Sequence, residues 1–389
     1  MRISRTIGAV AGLMLAAGSS SVWAQTQPVT ESQARLNDAS QNCGASMPQR
    51  RDEVAACTYV IANAVMSPRQ LANLLYNRGL AQMALEDRLA ASADFEASIL
   101  IDPTQGRGWY GRAELLRASG DTAGAMAAYN EATRREPAFT IPYTRRAIIL
   151  LEARDLPAVV AEMDRLLAVS ADSFLGYRIR GIAKFRQGMN DAALADLNEA
   201  VRLGPNEPYN YRFRGDVHRA RGDDLRAFSD YDRAVSITPS SAEFLYERGN
   251  VLHDMGRHAD AVADYEAIVR MGNPTYAVLN ALCWTRAVWG QQLDQALANC
   301  NESIRLERDA SNVDSRALVH LKRGDAAAAE ADYDAAFALN PELFSALYGR
   351  GVARVRLGRE AEGRADLAAA LAKDATVTET WAGYGVPTP

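Results

Sequence analysis

Lysine is nearly missing from this chain: Lys184, Lys322 and Lys373 stand among 43 basic residues, and the rest are arginine. With alanine abundant, that bias reads as genomic base composition before it reads as function. Catalytic signatures are missing as well. There is no HExxH, no G-x-S-x-G elbow, no glycine-rich phosphate loop and no CxxC, so no catalytic residue, metal ligand or cofactor site is expected. Of the four histidines, His218 and His253, with Asp254 close by, come nearest to a metal site, and their spacing is not that of ligands. Long apolar runs are confined to Ile7–Ala17, and no other stretch reaches the roughly 18 residues a membrane span needs. The net charge of −5 makes nucleic acid a poor partner.

Residues 1–24 carry the pattern of a secretory signal: Arg2 and Arg5, the apolar run, then small residues leading to Val22-Trp23-Ala24. Cleavage near Ala24 removes both arginines and takes the net charge from −5 to −7. No cysteine lies near that point to carry a lipid, so the mature chain is expected to be exported without membrane insertion. Residues 25–50 are polar, lack a sustained apolar period and read as a flexible leader, at least to about Asn42. Residues 51–71 turn helical, with Val54, Cys57, Val60 and Ile61 on one face, and look like the second half of a degenerate repeat.

From there a period of 34 residues governs the chain, and Tyr211–Pro239 shows its unit most clearly. Tyr211, Gly215 and His218 share one helix face; Ala227, Tyr231, Ala234 and Val235 share another. Gly222 suits a left-handed helix end, Asp223 can cap the next helix, and Pro239 stops it. The closing position recurs as Pro103, Pro137, Ala171, Pro205, Pro239, Asn273, Arg308, Pro341 and Ala375. Nine hairpins over 72–375 follow, and each must bury its apolar face against its neighbours.

Two small columns face each other across these hairpins. One runs through Gly79, Ala113, Ala147, Gly181, Gly215, Gly249, Cys283, Ala317 and Gly351; the other through Ala91, Ala125, Ala193, Ala227 and Ala261, with Val159 as its bulky member. Small residues at such crossings let helix axes approach, while Trp109, Tyr143, Tyr177, Phe95, Tyr129 and Tyr265 fill the space around them. In this motif set the chain resembles the tetratricopeptide-repeat family over most of its length. Departures are local: Arg154 replaces the turn glycine of the third copy, Pro157 opens that copy's second helix, and the seventh copy has an extra residue near Gln291-Gln292. The resemblance implies an all-α solenoid, a right-handed superhelix of about nine antiparallel helix pairs with a concave groove lined by the first helices. It also implies a protein or extended peptide as partner.

Arginine precedes the small column in eight copies, from Arg78 to Arg350, and an acid follows 16 residues later in seven. A stripe of arginines could bind anions. However, the seventh copy loses both members together, with Leu282 and Asn299 in their places, which favours structural pairing. Cys283 and Cys300 occupy facing columns of one hairpin, so the fold is expected to bring them into a disulfide. Cys43, 14 residues before Cys57, suggests a second bridge at the N-terminal end, worth about 3 kcal/mol for a loop of that length.

The groove implied by the resemblance would be lined by Tyr76, Asn77, Tyr110, Arg117, Arg178, Phe185, Tyr209, Arg212, Phe213, Arg219 and Tyr246. Their mixture of aromatic and guanidinium groups points to an acidic or carboxylate-bearing polypeptide. Residues 376–389 read as a cap, with Trp381 and Tyr384 covering the last hairpin and a disordered tail from Gly385. The expectation is a non-catalytic, periplasmic interaction scaffold of a bacterial envelope. The competing readings are an enzyme's accessory subunit, an enzyme with its chemistry in the groove, or a self-assembling structural protein. Oligomeric state is not legible.

Overall fold

A computed structural model describes residues 31–45 and 49–387. All regular structure among them is helical, and it falls in two compact units, Met1–Ala128 and Tyr129–Pro389. The first unit runs through α1 (Glu31–Asn42), α2 (Arg50–Asn63), α3 (Pro68–Ala84), α4 (Arg88–Ile101) and α5 (Gly106–Ala118); α6 (Thr122–Arg135) carries the division. In the second unit α7 (Ile141–Glu152) pairs with α8 (Leu156–Val169), α9 (Phe174–Arg186) with α10 (Asn190–Leu203), and α11 (Pro208–Ala220) with α12 (Asp224–Ile237). Four more elements complete two further pairs: α13 (Ala242–Asp254) with α14 (His258–Arg270), and α15 (Tyr276–Trp289) with α16 (Leu293–Leu306). The last are α17 (Ala310–Lys322) with α18 (Ala326–Leu339) and α19 (Phe344–Arg356) with α20 (Glu360–Lys373), closed by α21 (Val377–Gly383).

The fifth hairpin, α11 and α12, shows why this sequence folds so. Tyr211 and Gly215 are buried on α11, and Ala227, Tyr231, Ala234 and Val235 on α12. A Cβ on Gly215 would stand 2.8 Å from the Tyr231 ring, so glycine is what lets the ring lie against the helix. Gly222 takes the left-handed turn at φ 74°, and the Asp223 carboxylate accepts a hydrogen bond from the Arg226 amide at 3.2 Å. In the third copy Arg154 adopts the same left-handed conformation, φ 58°, without being glycine.

The arginine and acid columns form clasps. Arg78, Arg180, Arg214, Arg248, Arg316 and Arg350 each donate through Nε and Nη2 to both oxygens of the acid 16 residues on, at 2.6–2.9 Å. Arg146 holds Glu162. The third nitrogen reaches backwards, to the second helix of the preceding hairpin: Arg180 to Asp164 at 2.6 Å, Arg214 to Asn198 at 3.0 Å, Arg248 to Asp232 at 2.6 Å, Arg350 to Asp334 at 2.8 Å. Each arginine thus closes its own hairpin and joins it to the one before. The seventh copy keeps the device from a different place. Arg286, one helical turn beyond Leu282 and buried, hydrogen-bonds Asn299 of its own hairpin and Glu266 of the preceding one.

Several expectations need correction. The leader is helical over α1, because a disulfide from Cys43 to Cys57 (Cα–Cα 4.7 Å) ties α1 to α2 and Ala39 is buried. Helix α3 begins at Pro68 rather than Ala72: the Ser67 hydroxyl accepts from the Gln70 amide, and the Gln70 side chain accepts from the Ser67 N–H at 2.9 Å. The tail is ordered through Pro387, with Val386 buried. Arg112, whose own copy offers Ala128, turns to Glu96 at 3.4 Å. The signal and its cleavage site lie outside the described residues. Cys283 and Cys300 are bridged, with a Cα–Cα distance of 5.3 Å. Among the described residues no helix is long and apolar enough to cross a membrane.

Within the second unit the first helices of successive hairpins touch at α7–α9, α9–α11, α13–α15, α15–α17 and α17–α19. They present a shared face, and the functional search concentrates there.

Candidate functional site: the first-helix face

On this face α9, α11, α12 and α13 enclose a cleft of about 400 Å³ lined by Phe185, Arg212, Asp216, Arg219, Ala220, Tyr231 and Glu247. Side chains one turn apart on α11 place Arg212, Asp216 and Arg219 on one side of it; α13 supplies the other. Three of the sequence-predicted groove residues therefore meet: Phe185, Arg212 and Arg219.

Their charges are already answered. Arg212 lies 3.1 Å from Asp216, 3.4 Å from Glu243 and 3.6 Å from Glu247, and its guanidinium stacks over Phe213 at 4.6 Å. Arg219 contacts Asp254 at 2.7 Å and Glu247 at 3.9 Å, and the Tyr209 hydroxyl donates to Glu243 at 3.0 Å. Arg178 is packed between Phe174 and Tyr209 and donates to Asn210 at 3.2 Å, and burial lowers its affinity for a proton. The cleft thus carries both signs. At Arg212 and Arg219 the expectation of a ligand chosen by free arginines gives way to one of paired charges, since acids of the next first helix, Glu243 and Glu247 for Arg212 and Asp254 for Arg219, already stand against them.

Asp216 is the least settled group. Burial pushes its carboxyl up to about 6, against the opposing pull of Arg212 and of the Tyr231 hydroxyl, which donates to it at 2.9 Å. In turn, burial and then the Asp216 charge drive the Tyr231 phenol well above its ordinary value. A second, more apolar cleft of about 290 Å³ opens beside it, lined by Glu243, Tyr246, Ile268, Met271, Pro274 and Val278 among others.

The remaining predicted residues sit elsewhere. In the first unit Tyr76 and Tyr110 are buried edge to face, 6.3 Å between centroids, and serve packing. Asn77 lies under the loop at Gly44, where a Cβ would stand 2.5 Å from its amide nitrogen, and Arg117 is 3.3 Å from Glu114. His253 is hydrogen-bonded to Thr285 at 3.0 Å. Among the described residues no three His, Cys, Asp or Glu side chains are grouped to hold a metal ion. Glu243 and Glu247 were not singled out from the sequence, and Asp254 only as a neighbour of His253; their signal is the spacing of one repeat from Tyr209, Arg212 and Arg219.

A family model described as "Tetratricopeptide repeat" matches residues 76–138, 144–208 and 315–377, another of that description matches 242–271, and one described as "TPR repeat" matches 215–256. Together they cover more than half of the chain. It belongs to the tetratricopeptide-repeat family. No curated protein sequence matches it. Among solved structures, a tetratricopeptide-repeat protein from Parabacteroides merdae is similar at 17% identity and a TM-score of 0.45, over 72% of this chain and 99% of that one. The Cut9-Hcn1 hetero-tetramer structure aligns at 16% identity and a TM-score of 0.49, over 83% of this chain and 63% of that one. YrrB, titled a TPR protein with an unusual peptide-binding site, aligns at 18% identity and a TM-score of 0.38, over 49% of this chain and 98% of that one. Tetratricopeptide-repeat proteins serve as protein–protein interaction scaffolds, and the fold is generally not enzymatic.

Proposed function

We propose that this tetratricopeptide-repeat protein is a non-catalytic scaffold that holds a polypeptide partner on the first-helix face of its second unit. The cleft between α9, α11 and α13 carries the reading. It sets guanidinium donors and carboxylate acceptors side by side between the aromatic rings of Phe185 and Tyr231. Such a surface matches an extended chain, whose backbone presents both donors and acceptors, better than a single anion. The secretory pattern of residues 1–24 and the two cystines support an oxidising, exported location, and we assign it to the periplasm.

The test is Phe185→Ala combined with Arg219→Ala, checked for folding by circular dichroism and assayed by co-purification from envelope extracts. Partner recovery should fall at least tenfold. Undiminished recovery with the folded double variant refutes the placement. Metal analysis and a hydrolase screen on the purified chain address the enzymatic alternative, and turnover that depends on cleft residues would replace this reading.

A further inference from the structure

Past α20 the chain makes the seven-residue α21 and turns at Gly385, φ 67°. Trp381 is 2% exposed and packs on Tyr348 at 5.4 Å and Tyr333 at 6.0 Å. The residues that follow do not leave the surface. Val386 is also 2% exposed, and its amide donates to the Trp381 carbonyl at 3.2 Å. The Tyr384 ring meets Trp284 edge to face with centroids 4.8 Å apart. Trp284 belongs to α15, the first helix of the hairpin two before the last. Tyr384 therefore reaches back past α19 and α17, and the segment lies along the first-helix face of the last three hairpins. Gly385 suits this passage, for a Cβ on it would stand 3.0 Å from the Lys322 amino group.

The seat beneath the segment is built but incompletely used. Asp314 occupies the register of Arg212 on α17 and is 8% exposed, and its Oδ1 has no hydrogen-bond partner among the described residues. Asn280, 34 residues earlier in the same register on α15, has its buried Oδ1 in the same state. The segment beside Asp314, whose charge acts on Tyr384, brings no cation: residues 376–389 contain no lysine or arginine. A buried acceptor left unpaired is a standing cost that an occupant with a suitable donor removes.

We propose that Tyr384–Pro387 is a self-ligand that closes the first-helix face of the last three hairpins, and that a partner's extended segment bearing an aromatic beside a basic residue displaces it. The aromatic takes the place of Tyr384 against Trp284, and the basic side chain pairs with Asp314. A second copy's C-terminal segment would leave Asp314 as unpaired as the chain's own does, so a different polypeptide is the better occupant. This inference rests on the first-helix face being a polypeptide-binding face.

The experiment uses the full chain and its Tyr384→Ala variant, with two fluorescein-labelled peptides read by anisotropy. One copies Ala382–Pro389; the other carries arginine at the position of Val386. Hydrogen exchange at the Val386 amide reports independently whether the segment has been released. The arginine peptide should bind the variant at least tenfold tighter than it binds the full chain, and at least tenfold tighter than the copy peptide does. Adding Asp314→Asn to the variant should abolish that preference. Equal binding to both proteins, or no binding to a variant whose Val386 amide exchanges freely, overturns the proposal. Concentration-dependent dimers with the Val386 amide protected would make a second copy the occupant and overturn the partner assigned here. The Phe185 and Arg219 variant probes a separate cleft, so loss of partner there with peptide binding intact here fails only that site, and the converse fails only this one.

Discussion

Replacing Asp230 by alanine tests the clasp that recurs in seven of the nine hairpins. Arg214 gives Nε and Nη2 to the two oxygens of Asp230, at 2.9 and 2.6 Å, and Nη1 to Asn198 at 3.0 Å. Hydrogen bonding to that carboxylate raises the guanidinium's proton affinity against the effect of burial. The side chain of Asp230 is 6% exposed and that of Arg214 21%, so Asp230→Ala strands a mostly desolvated cation. Breaking a buried pair from one side costs about 3–5 kcal/mol, and the partial exposure of Arg214 sets the expectation at the lower end, about 3 kcal/mol. Asp232, two residues along the same helix, provides the internal control. It meets Arg248 at 2.6 Å, but its side chain is 52% exposed, so Asp232→Ala should cost less than about 1 kcal/mol. Urea unfolding of the full chain, followed by far-ultraviolet circular dichroism, measures both. The double variant Arg214→Met with Asp230→Leu should lose less than Asp230→Ala alone, because no charge is left unpaired. Equal shifts for Asp230→Ala and Asp232→Ala, or no shift for the first, would refute the clasp.

Asp314 offers a pH-dependent counterpart. Burial pushes its carboxyl from 3.8 up to about 7, so between those values the folded chain binds more protons than the unfolded one, and this group's contribution to stability falls as pH rises. Asp314→Asn removes the fall: its advantage should grow between pH 5 and pH 8 to about 4 kcal/mol, and an advantage equal at both pH values would count against it. Arg154→Gly should raise the unfolding midpoint by the equivalent of about 0.5–1 kcal/mol, because φ 58° strains any side chain; a lower midpoint would show that the arginine compensates by its own contacts. Arg286→Leu removes hydrogen bonds to Asn299 and Glu266 and should cost about 2 kcal/mol, seen as faster amide exchange in α15 and α16. Unchanged exchange there would mean the relocated arginine holds nothing.

The hairpins were legible because their unit is short and repeats. Gly215 against Tyr231, Gly222 before Asp223, and Arg214 to Asp230 all fall within one period, where local spacing and tertiary contact coincide. What escaped crosses the period. The backward bond from Arg248 to Asp232 joins two hairpins, as do Arg212 to Glu247 and Arg219 to Asp254, and no pattern inside a single copy shows it. That is why the groove arginines looked free. Arg286 escaped because it stands a turn away from its column, yet reaches Asn299 and Glu266, the positions a column arginine would meet. Helix α1 lacks an apolar stripe and depends on the Cys43–Cys57 bridge instead, so its polar composition read as leader. The last residues form no periodic element at all; the contact of Tyr384 with Trp284 and the burial of Val386 reveal where they lie.

Site-directed photo-cross-linking within the cells that make this chain addresses the polypeptide-binding face directly. A photoreactive phenylalanine at Tyr209, on the first-helix face beside the cleft, is compared with one at Leu225, 73% exposed at the start of the second helix of the same hairpin. Adducts to a polypeptide should form at Tyr209 and be lost with Phe185→Ala and Arg219→Ala, while Leu225 yields none. Adducts at Leu225 alone, or adducts at Tyr209 that survive both substitutions, would contradict the assignment of the binding face.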